Sequence, residues 1–419
     1  MAGQTRHTRP PRGFMRAVLI CPPLHSHLRA FEALARAWTR KGHEAIFLTE
    51  PGVVLEGDMR QAILPGPVLR PQSRTLLAEI LAGARRTDRL CRDAPALLRD
   101  LSPDLILGDQ MEPASGLLAR ALGLPLASIA CAVPMDPEPG IPLPFLGWPH
   151  DTSAQGLKRN AGGERIAGLL LTPQNRVIRH WARHWGLGDL GRLQDCLSSD
   201  LTLSQIAPGF DYPRPANGGH IVQLGPFRQG QVTQDFPPDI RPDPARPFVY
   251  ASLGTLQSHR AGLLARIARA CRQAGVQVLV SHAGSLTDGQ AGRIPADWVR
   301  SFVPQQAVLA RAALCITHAG LNTALECLAA GVPMLALPLT HDQPGVAARI
   351  VQSGTGLRLH PWQRGSNRIA DAVATLLADE NFRARARHFA AEAASWGGAA
   401  GAVDAIEARF SPRRSAQAS

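Results

Sequence analysis

The sequence predicts an α/β protein made of two parallel-sheet domains. Its 419 residues exceed what one hydrophobic core usually organises. Short apolar runs alternate with amphipathic helical segments in both halves of the chain, which is the pattern of βαβ units. Between the halves lies a polar, proline-rich stretch at residues 228–246, RQGQVTQDFPPDIRPDPAR, which is typical of a linker between domains.

Composition narrows the class of protein. Hydrophobic residues make up 45% and charged residues 19%, as in ordinary globular enzymes. The net charge is +12, but the arginines are scattered and no nucleic-acid-binding module is recognisable, so nucleic acid is not expected as a partner. Seven dispersed cysteines without CxxC spacing indicate buried thiols in a reducing compartment. No uninterrupted apolar stretch of about 18 residues occurs, so we expect a cytoplasmic protein without a transmembrane helix.

Residues 15–227 are predicted to form the first domain, after a disordered extension at residues 1–14. The domain opens with a buried strand, RAVLICPP, a loop, LHSH, and a helix from about Leu28 to Lys41. His27 therefore lies at the carboxyl edge of the first strand, where an imidazole suits a general base near neutral pH. A helix cap or a surface histidine is the alternative interpretation, and His25 is a competing candidate.

A base of this kind usually has a carboxylate that orients it. The segment DLILGD predicts a strand that ends at Asp109, on the same edge of the sheet as His27. On the residues alone, a cap for the following helix explains Asp109 equally well. Glu112 is a weaker candidate for the same role.

Two further segments of the first domain allow more than one interpretation. From Cys131 to about Asn160 the chain is rich in proline and glycine, which predicts a loop that either lines an acceptor site or packs irregularly. The segment RVIRHWARHWGLG places three arginines at helical spacing beside Trp181 and Trp185. Such a mixture suits a membrane interface, but a solvated helix face with buried tryptophans is the preferred interpretation.

Residues 247–410 are predicted to form the second domain, followed by a disordered tail at residues 411–419. The domain opens with a strand, FVYAS, that runs into a loop containing Ser252 and Thr255. Hydroxyl and backbone N–H groups in such a turn are suited to a phosphate group. We therefore predict that this turn faces a phosphorylated ligand.

The stretch from Arg311 to Ile350 carries the most informative pattern: a strand, the turn THAG, a helix and a second strand. The turn brings backbone N–H groups and the positive end of the helix dipole together, which suits a phosphate. His318 adds a hydrogen-bond donor there, and Gly320 allows close approach of the backbone. Asn322 and Glu326 share one helix face near the turn, where the carboxylate suits a ribose diol.

The order His-x-Gly-x-Asn-Thr-x-x-Glu at residues 318–326, followed by Asp342-Gln343, resembles the donor-binding signature of the UDP-glycosyltransferases. The run from Phe302 to Gln305, FVPQ, looks like the opening of the same signature. The resemblance implies the GT-B fold, with two Rossmann-like domains facing a central cleft and the last helix packing back on the first domain. It also implies UDP-glucose as the donor substrate, with no cofactor and no metal ion.

The resemblance also assigns roles to single residues. It implies that Phe302 stacks on uracil, that His318 and the helix start bind the diphosphate, and that Glu326 binds the ribose. It also implies that Asp342 and Gln343 bind the hexose. The predicted donor-binding residues are Ser252, Thr255, Phe302, Val303, Gln305, His318, Gly320, Asn322, Thr323, Glu326, Asp342 and Gln343.

Two residues of the first domain match the catalytic pair of the family. His27 takes the place of the catalytic histidine, just before a helix that reads like LRAFEALARAW, and Asp109 takes the place of the aspartate that binds it. The implied reaction inverts the anomeric carbon and gives a β-glucoside. In the donor site, Phe302 stands where plant relatives usually have tryptophan, which preserves stacking in a weaker form.

Four segments, DQMEPASGLLA, SIACAVPMDPEPGIPLP, ASLGTLQSHRAGL and LPLTHDQPGVAARIV, are similar in this order to the bacterial carotenoid glucosyltransferases of that family. The similarity runs from about Met15 to about Arg409. It implies a lipophilic hydroxylated acceptor, zeaxanthin, drawn from a membrane that the protein contacts peripherally. The alternatives are a transferase acting on a macrolide, sterol or flavonoid, a non-catalytic nucleotide-sugar-binding protein, and an epimerase of the same architecture.

Overall fold

Two parallel β-sheets, each with helices on both faces, form the framework of the protein. The computed structural model describes residues 13–68, 75–215, 219–227 and 235–411. The predicted extension up to residue 12, the first part of the linker up to residue 234 and the tail from residue 412 lie outside the described residues.

The first sheet is built from the first half of the chain. Its strands are β1 (Arg16–Ile20), β2 (Glu44–Thr49), β3 (Gln61–Ile63), β4 (Leu105–Asp109), β5 (Leu126–Ala130), β6 (Thr202–Ser204) and β7 (Ile221–Gln223). All pairs are parallel, in the order β3-β2-β1-β4-β5-β6-β7. Its helices are α1 (His25–Arg40), α2 (Leu76–Leu101), α3 (Ala114–Leu122), α4 (Ala154–Leu170) and α5 (Thr172–His184). Val18 and Leu19 enter separate hydrophobic cores, as expected for a sheet buried on both faces.

The second sheet repeats this arrangement with six parallel strands. They are β8 (Phe248–Ser252), β9 (Gln277–Ser281), β10 (Trp298–Arg300), β11 (Leu314–Thr317), β12 (Met334–Ala336) and β13 (Gly356–Arg358), in the order β10-β9-β8-β11-β12-β13. The helices are α6 (Gly254–Gln257), α7 (Ala261–Gln273), α8 (Asp288–Ala291), α9 (Gln305–Leu309), α10 (Leu321–Ala330), α11 (Gln343–Gln352), α12 (Ser366–Ala378), α13 (Glu380–Glu392) and α14 (Gly398–Phe410). The predicted α/β class with two Rossmann-like domains is confirmed.

Both sheets reverse their strand order at an equivalent place. The reversal lies between β1 and β4 in the first sheet and between β8 and β11 in the second. Ligands of open α/β sheets bind at the carboxyl ends of the strands where the order reverses. Asp109 ends β4 and His27 follows β1, whereas Ser252 ends β8 and His318 follows β11. These four predicted residues therefore lie at the two switch points.

The last helix, α14, packs against the first domain although it follows the second sheet in the chain. Val403 and Ile406 are buried in the core that contains residues of α1. Nε2 of His43, just after α1, lies 2.8 Å from Oε1 of Glu407. The polypeptide thus crosses between the domains a second time.

A buried ion cluster joins the two halves of the chain. The carboxylate of Asp211 lies 2.6 Å from Nη2 of Arg349 in α11 and 2.8 Å from Nε of Arg214. The guanidinium of Arg349 also lies over the ring of Tyr212, 4.4 Å from its centroid. Burial by itself raises the pKa of Asp211, but the two arginines lower it below its ordinary value. The carboxylate is therefore charged at neutral pH.

Replacing Arg349 by methionine is expected to lower the free energy of unfolding by about 3 kcal/mol, because Asp211 would keep only one cationic partner in a buried site. Urea unfolding measures this change. The matched control is Arg409→Met, which breaks a pair with Asp200 whose side chains are both about half exposed and is expected to cost less than about 1 kcal/mol. Because the pKa of Asp211 is lowered, its contribution is present above its unfolded-state pKa and lost on acidification, so the Arg349→Met deficit should narrow as the pH falls. Equal losses in the two variants would contradict this account.

Helix α1 begins earlier than predicted. It starts at His25 and not at about Leu28, so the predicted LHSH loop is wrong and His27 lies in the first turn of the helix. Leu24 takes the N-cap position in extended conformation, and its carbonyl accepts the N–H of His27 at 2.9 Å. The histidine nevertheless stays at the carboxyl edge of the first sheet.

The proline-rich segment also ends earlier than predicted. Helix α4 begins at Ala154, inside the stretch assigned to a loop up to about Asn160. The side chain of Ser153 accepts the N–H of Gly156 at 3.1 Å and so caps the new helix.

The cysteines, a tryptophan of α5 and the lengths of the helices agree with the sequence-based expectations. All seven cysteines are free thiols and six of them are buried. Trp181 is buried, and its indole N–H donates to Asp88 at 3.0 Å, in agreement with the preferred interpretation of a helix that buries its tryptophans. Within the described ranges, no helix is both long enough and apolar enough to cross a membrane.

Candidate active site

His27 and Asp109 form a hydrogen-bonded pair at the switch point of the first sheet. Nδ1 of His27 lies 2.7 Å from Oδ2 of Asp109. Oδ1 of Asp109 accepts the backbone N–H of Met111 at 2.8 Å, so both carboxylate oxygens are fixed. Because Nδ1 of His27 is bonded to the carboxylate, Nε2 is the nitrogen available to accept a proton.

The surroundings of His27 favour its protonated form. Burial by itself lowers the pKa of the imidazole, but the charge and hydrogen bond of Asp109, and the charge of Asp342, raise it above its ordinary value. A higher pKa makes the imidazole a stronger base. Asp342 directly precedes α11 in the second domain, so its influence on His27 means that the loop before α11 lies near the catalytic pair of the first domain.

The two competing candidates lie outside this pair. His25 is exposed one position after the N-cap of α1. Oε1 of Glu112 accepts the hydroxyl of Thr87 at 2.7 Å and the N–H of Ala114 at 3.3 Å. Burial raises the pKa of Glu112 to about 7. Since Gln174 also donates to Thr87, Glu112 belongs to a buried polar cluster between α2 and α5.

Cys131 adjoins the pair and was not among the predicted site residues. Its sulfur, a nitrogen of His27 and an oxygen of Asp109 all lie within 4.8 Å of one another. Burial, and then the charge of Asp109, raise the pKa of the thiol well above its ordinary value, so it stays protonated and donates to that carboxylate. Cys131 follows β5, the neighbour of β4, and this adjacency becomes visible only when the strand order is known.

His318 occupies a narrow slot at the switch point of the second sheet. A methyl group added at Gly254 or at Gly320 would come within 2.6 or 2.5 Å of its ring. The backbone is left-handed at Gly254, with φ of +69°, and at Ala319, with φ of +63°. The N–H of Ala319 donates to Oγ1 of Thr317 at 3.1 Å, which helps to hold this uncommon conformation.

His318 is neutral near neutral pH. Burial lowers its pKa to about 4, opposed by a hydrogen bond with the backbone of Ser252. The imidazole therefore offers an N–H donor and no positive charge. The positive potential at this place comes from the start of α10, whose N-cap is Gly320 and has no side chain to occupy the first amides.

Four other predicted donor-binding residues lie at the same edge. Ser252 is buried, and its hydroxyl accepts the N–H of Gly254 at 3.3 Å. Thr255 is exposed in the short helix α6 and not in the predicted loop. Asn322 and Thr323 lie in the first turn of α10, the first exposed and the second buried.

Glu326 and Gln305 are brought together although 21 residues separate them. Nε2 of Gln305 donates to Oε2 of Glu326. Oε1 of Gln305 accepts the hydroxyl of Tyr250, a buried residue of β8, at 3.0 Å. A short chain of hydrogen bonds therefore orients the predicted ribose-binding carboxylate.

Phe302 offers an open aromatic surface beside these residues. Its side chain is 69% exposed, and one edge lies against Gly284, where an added methyl group would be 3.2 Å from the ring. Val303 is partly buried against the core of the second domain. Of these two predicted donor-binding residues, only Phe302 therefore presents its side chain for stacking.

Asp342 and Gln343 are adjacent in sequence but have different environments and contacts. Burial raises the pKa of Asp342, and the proximity of His27 partly offsets this effect. Oε1 of Gln343 accepts the N–H groups of Leu339 and Thr340 at 2.8 and 2.9 Å, so its side chain fixes the loop that presents Asp342. A contact of either side chain with a hexose remains a prediction.

Replacing Gly320 by alanine is expected to weaken UDP binding by about 10- to 100-fold, the size of one hydrogen bond to a charged group. The new methyl group would lie 2.5 Å from Nε2 of His318, and the backbone at Gly254 also approaches the Cε1–Nε2 edge of the ring closely, so the imidazole would be displaced. Calorimetric titration with UDP measures the change. Gly262→Ala is the matched control, since nothing lies within 4 Å of its added methyl group. Unchanged affinity in Gly320→Ala would contradict a role for the His318 slot.

Comparison with known proteins decides the family. A family model described as "UDP-glucoronosyl and UDP-glucosyl transferase" matches residues 194–390. The chain is 40% identical to a zeaxanthin glucosyltransferase of Pseudescherichia vulneris, over 88% of this chain and 91% of that protein. The chain belongs to the UDP-glycosyltransferase family. A zeaxanthin glucosyltransferase of Pantoea ananas is 35% identical over 93% of this chain and 94% of that protein.

Solved structures of glycosyltransferases show the same fold. The glycosyltransferase of kitacinnamycin matches with a TM-score of 0.76 at 22% identity, covering 96% of this chain and 100% of the other. The glycosyltransferase SnogD from Streptomyces nogalater matches with a TM-score of 0.65 at 21% identity, covering 94% and 99%. The predicted GT-B fold is confirmed, and this UDP-glycosyltransferase is an enzyme of the glycosyltransferase class.

Proposed function

We propose that this UDP-glycosyltransferase moves glucose from UDP-glucose to the hydroxyl groups of zeaxanthin, giving the monoglucoside and then the diglucoside. The observation that carries the proposal is the hydrogen-bonded pair of His27 and Asp109, because it supplies a base with an orienting carboxylate. The charge of Asp342, which resembles the hexose-binding aspartate of the family, acts on the same imidazole. The two relatives named as zeaxanthin glucosyltransferases support the choice of acceptor, since they match nearly the whole chain.

In this proposal His27 performs the proton transfer. Nε2 takes the proton of the acceptor hydroxyl while its oxygen forms a bond to the anomeric carbon. The bond from that carbon to the UDP oxygen breaks at the same time, and its electron pair leaves with UDP. Attack from the opposite face inverts the configuration, so an α-linked donor gives a β-glucoside. Asp109 stabilises the imidazolium that forms, through the 2.7 Å hydrogen bond to Nδ1.

Departure of UDP requires stabilisation of its growing negative charge. The N–H groups at the start of α10 and the neutral N–H of His318 supply it without an ion. We therefore expect turnover to stay within about twofold when metal ions are removed with EDTA, because donors of this kind act as an oxyanion site on their own. A loss of activity that Mg²⁺ or Mn²⁺ restores would contradict this expectation.

A second candidate is a transfer to another lipophilic alcohol. The 4'-demethylrebeccamycin synthase of Lentzea aerocolonigenes is 28% identical over 75% of this chain and 76% of that protein. This similarity is weaker than that to the two zeaxanthin glucosyltransferases, so zeaxanthin is the preferred candidate for the acceptor. The donor chemistry is the same in both cases and only the acceptor differs.

The test is product analysis by chromatography and mass spectrometry after incubation of the purified protein with UDP-glucose and detergent-dispersed zeaxanthin. Mono- and diglucosides are expected, with less product when UDP-galactose replaces UDP-glucose. Unchanged zeaxanthin together with retained UDP binding would overturn the acceptor but leave the donor site. Glucosylation of a macrolide, sterol or flavonoid in parallel reactions would then favour the second candidate.

A further inference from the structure

We propose that a surface of the first domain binds the acidic face of a phospholipid bilayer. The surface, here called the basic–apolar surface, combines the exposed side of α5 with exposed aliphatic residues from the start of α2 and the end of α4. Its aliphatic residues are Leu76, Leu77, Leu81, Ile166, Leu169 and Leu170. This binding is independent of the reaction, and only its use for acceptor delivery rests on the proposed function.

The end of α4 is unusually apolar for a water-facing surface. The side chains of Ile166, Leu169 and Leu170 are 62%, 75% and 53% exposed. Their spacing of three and four residues puts them on one side of the helix. An adjacent side of α4 packs inward, since Gly163 and Ala167 are buried and a methyl group added at Gly163 would lie 2.7 Å from Leu146. Neighbouring exposed aliphatic residues of this kind mark binding surfaces.

The start of α2 lies toward the end of α4, where α4 joins α5. Its first two residues are leucines, each 60% exposed. A methyl group added at Gly83 of α2 would lie 3.4 Å from Oε1 of Gln174 in α5, and further along both helices Trp181 donates to Asp88 at 3.0 Å. The two helices therefore run in the same direction, and the first turns of α2 extend past Gln174 toward the junction of α4 and α5.

Basic side chains accompany these leucines. Arg176, Arg179 and Arg183 recur at helical spacing on α5, where they line an open depression with two histidines. Across the described part of the chain, no carboxylate forms an ion pair with any of the three. Helix α4 and helix α5 each contain three basic residues, counting lysine and arginine. The two helices have one acidic residue between them, Glu164 of α4. Aliphatic side chains that enter the lipid, bordered by arginines that meet acidic headgroups, are the pattern of interfacial helices.

The basic–apolar surface is connected to the cleft. Oε2 of Glu79, a residue in the first turn of α2, lies 3.1 Å from Nε2 of His341. His341 directly precedes Asp342, whose charge acts on His27. A bilayer held at the start of α2 would therefore lie beside the mouth of the cleft, where a lipophilic acceptor can pass from the lipid to the base.

Vesicle flotation with the purified full-length protein tests the proposal without nucleotide sugar or acceptor. We expect binding to vesicles that contain phosphatidylglycerol and weaker binding to phosphatidylcholine alone, with a further decrease at high salt. Arg176→Gln combined with Arg183→Gln should lower the partition coefficient about 25-fold, at about fivefold for each arginine. The matched control is Arg266→Gln combined with Arg269→Gln on α7, two exposed arginines of the second domain, and should change it less than twofold.

The leucines are tested in the same way. Leu169→Gln combined with Leu170→Gln should lower partitioning about tenfold through lost insertion into the lipid, whereas Val54→Gln, at a side chain 84% exposed elsewhere in the domain, should not. Absence of binding to acidic vesicles, or equal binding by the variants and their controls, would overturn the proposal. Turnover of detergent-dispersed acceptor should be unchanged in all variants. Vesicle binding by a protein that leaves zeaxanthin unmodified would refute the acceptor and leave the membrane surface standing.

Discussion

Alanine in place of His27 is expected to lower kcat at least about 1,000-fold, within the range for loss of a positioned general base. UDP affinity should stay within about twofold, because the predicted donor-binding residues belong to the second domain. Initial rates of glucoside formation and calorimetric UDP titration measure the two quantities.

The control for this variant is His25→Ala, which removes an exposed histidine two positions earlier in the same helical turn. It should keep kcat within about twofold of the unmodified protein, since surface substitutions away from a site have small effects. Similar kcat losses in both variants would indicate damage to the start of α1 and would contradict a chemical role for His27.

Replacing Asp109 by asparagine is expected to lower kcat about 100-fold or more, because the imidazolium formed in the reaction loses its stabilising carboxylate. The pH profile should move as well. His27 must be neutral to accept a proton, so activity falls as the pH drops below its pKa. Since Asp109 helps to raise that pKa above the ordinary value, the acidic limb of kcat/KM should lie at lower pH in the variant.

Glu112→Gln is the matched control for Asp109→Asn. It also removes a buried carboxyl group near the first switch point, but one that bonds Thr87 and not His27. The acidic limb should then stay where it is in the unmodified protein. An acidic limb that does not move in Asp109→Asn, or that moves equally in Glu112→Gln, would contradict the pairing.

Much of the donor side could be predicted from the sequence because its residues are close together in the chain. His318, Gly320 and Glu326 lie within one turn and one helix, so the spacing alone puts them at one edge of the sheet. The slot formed by Gly254 and Gly320 could not be predicted in this way. It depends on the pairing of β8 with β11.

The remaining features depend on contacts between distant parts of the chain. Cys131 lies close to Asp109 because β5 lies beside β4, and the charge of Asp342 acts on His27 although the two residues belong to different domains. The pair Asp211–Arg349 joins residues 138 positions apart. Local patterns do not encode such separations. Even for His27, the local pattern predicts the correct edge of the sheet but the wrong secondary structure, because the capping by Leu24 carries no side-chain signature.

If His27 directs a single displacement at the anomeric carbon, the configuration of that carbon in the product must be inverted. The glucoside formed from α-linked UDP-glucose can be purified and its anomeric linkage determined by proton NMR. The account predicts the β-linked product alone. An α-linked product would show retention of configuration and would contradict direct attack by an acceptor activated by His27.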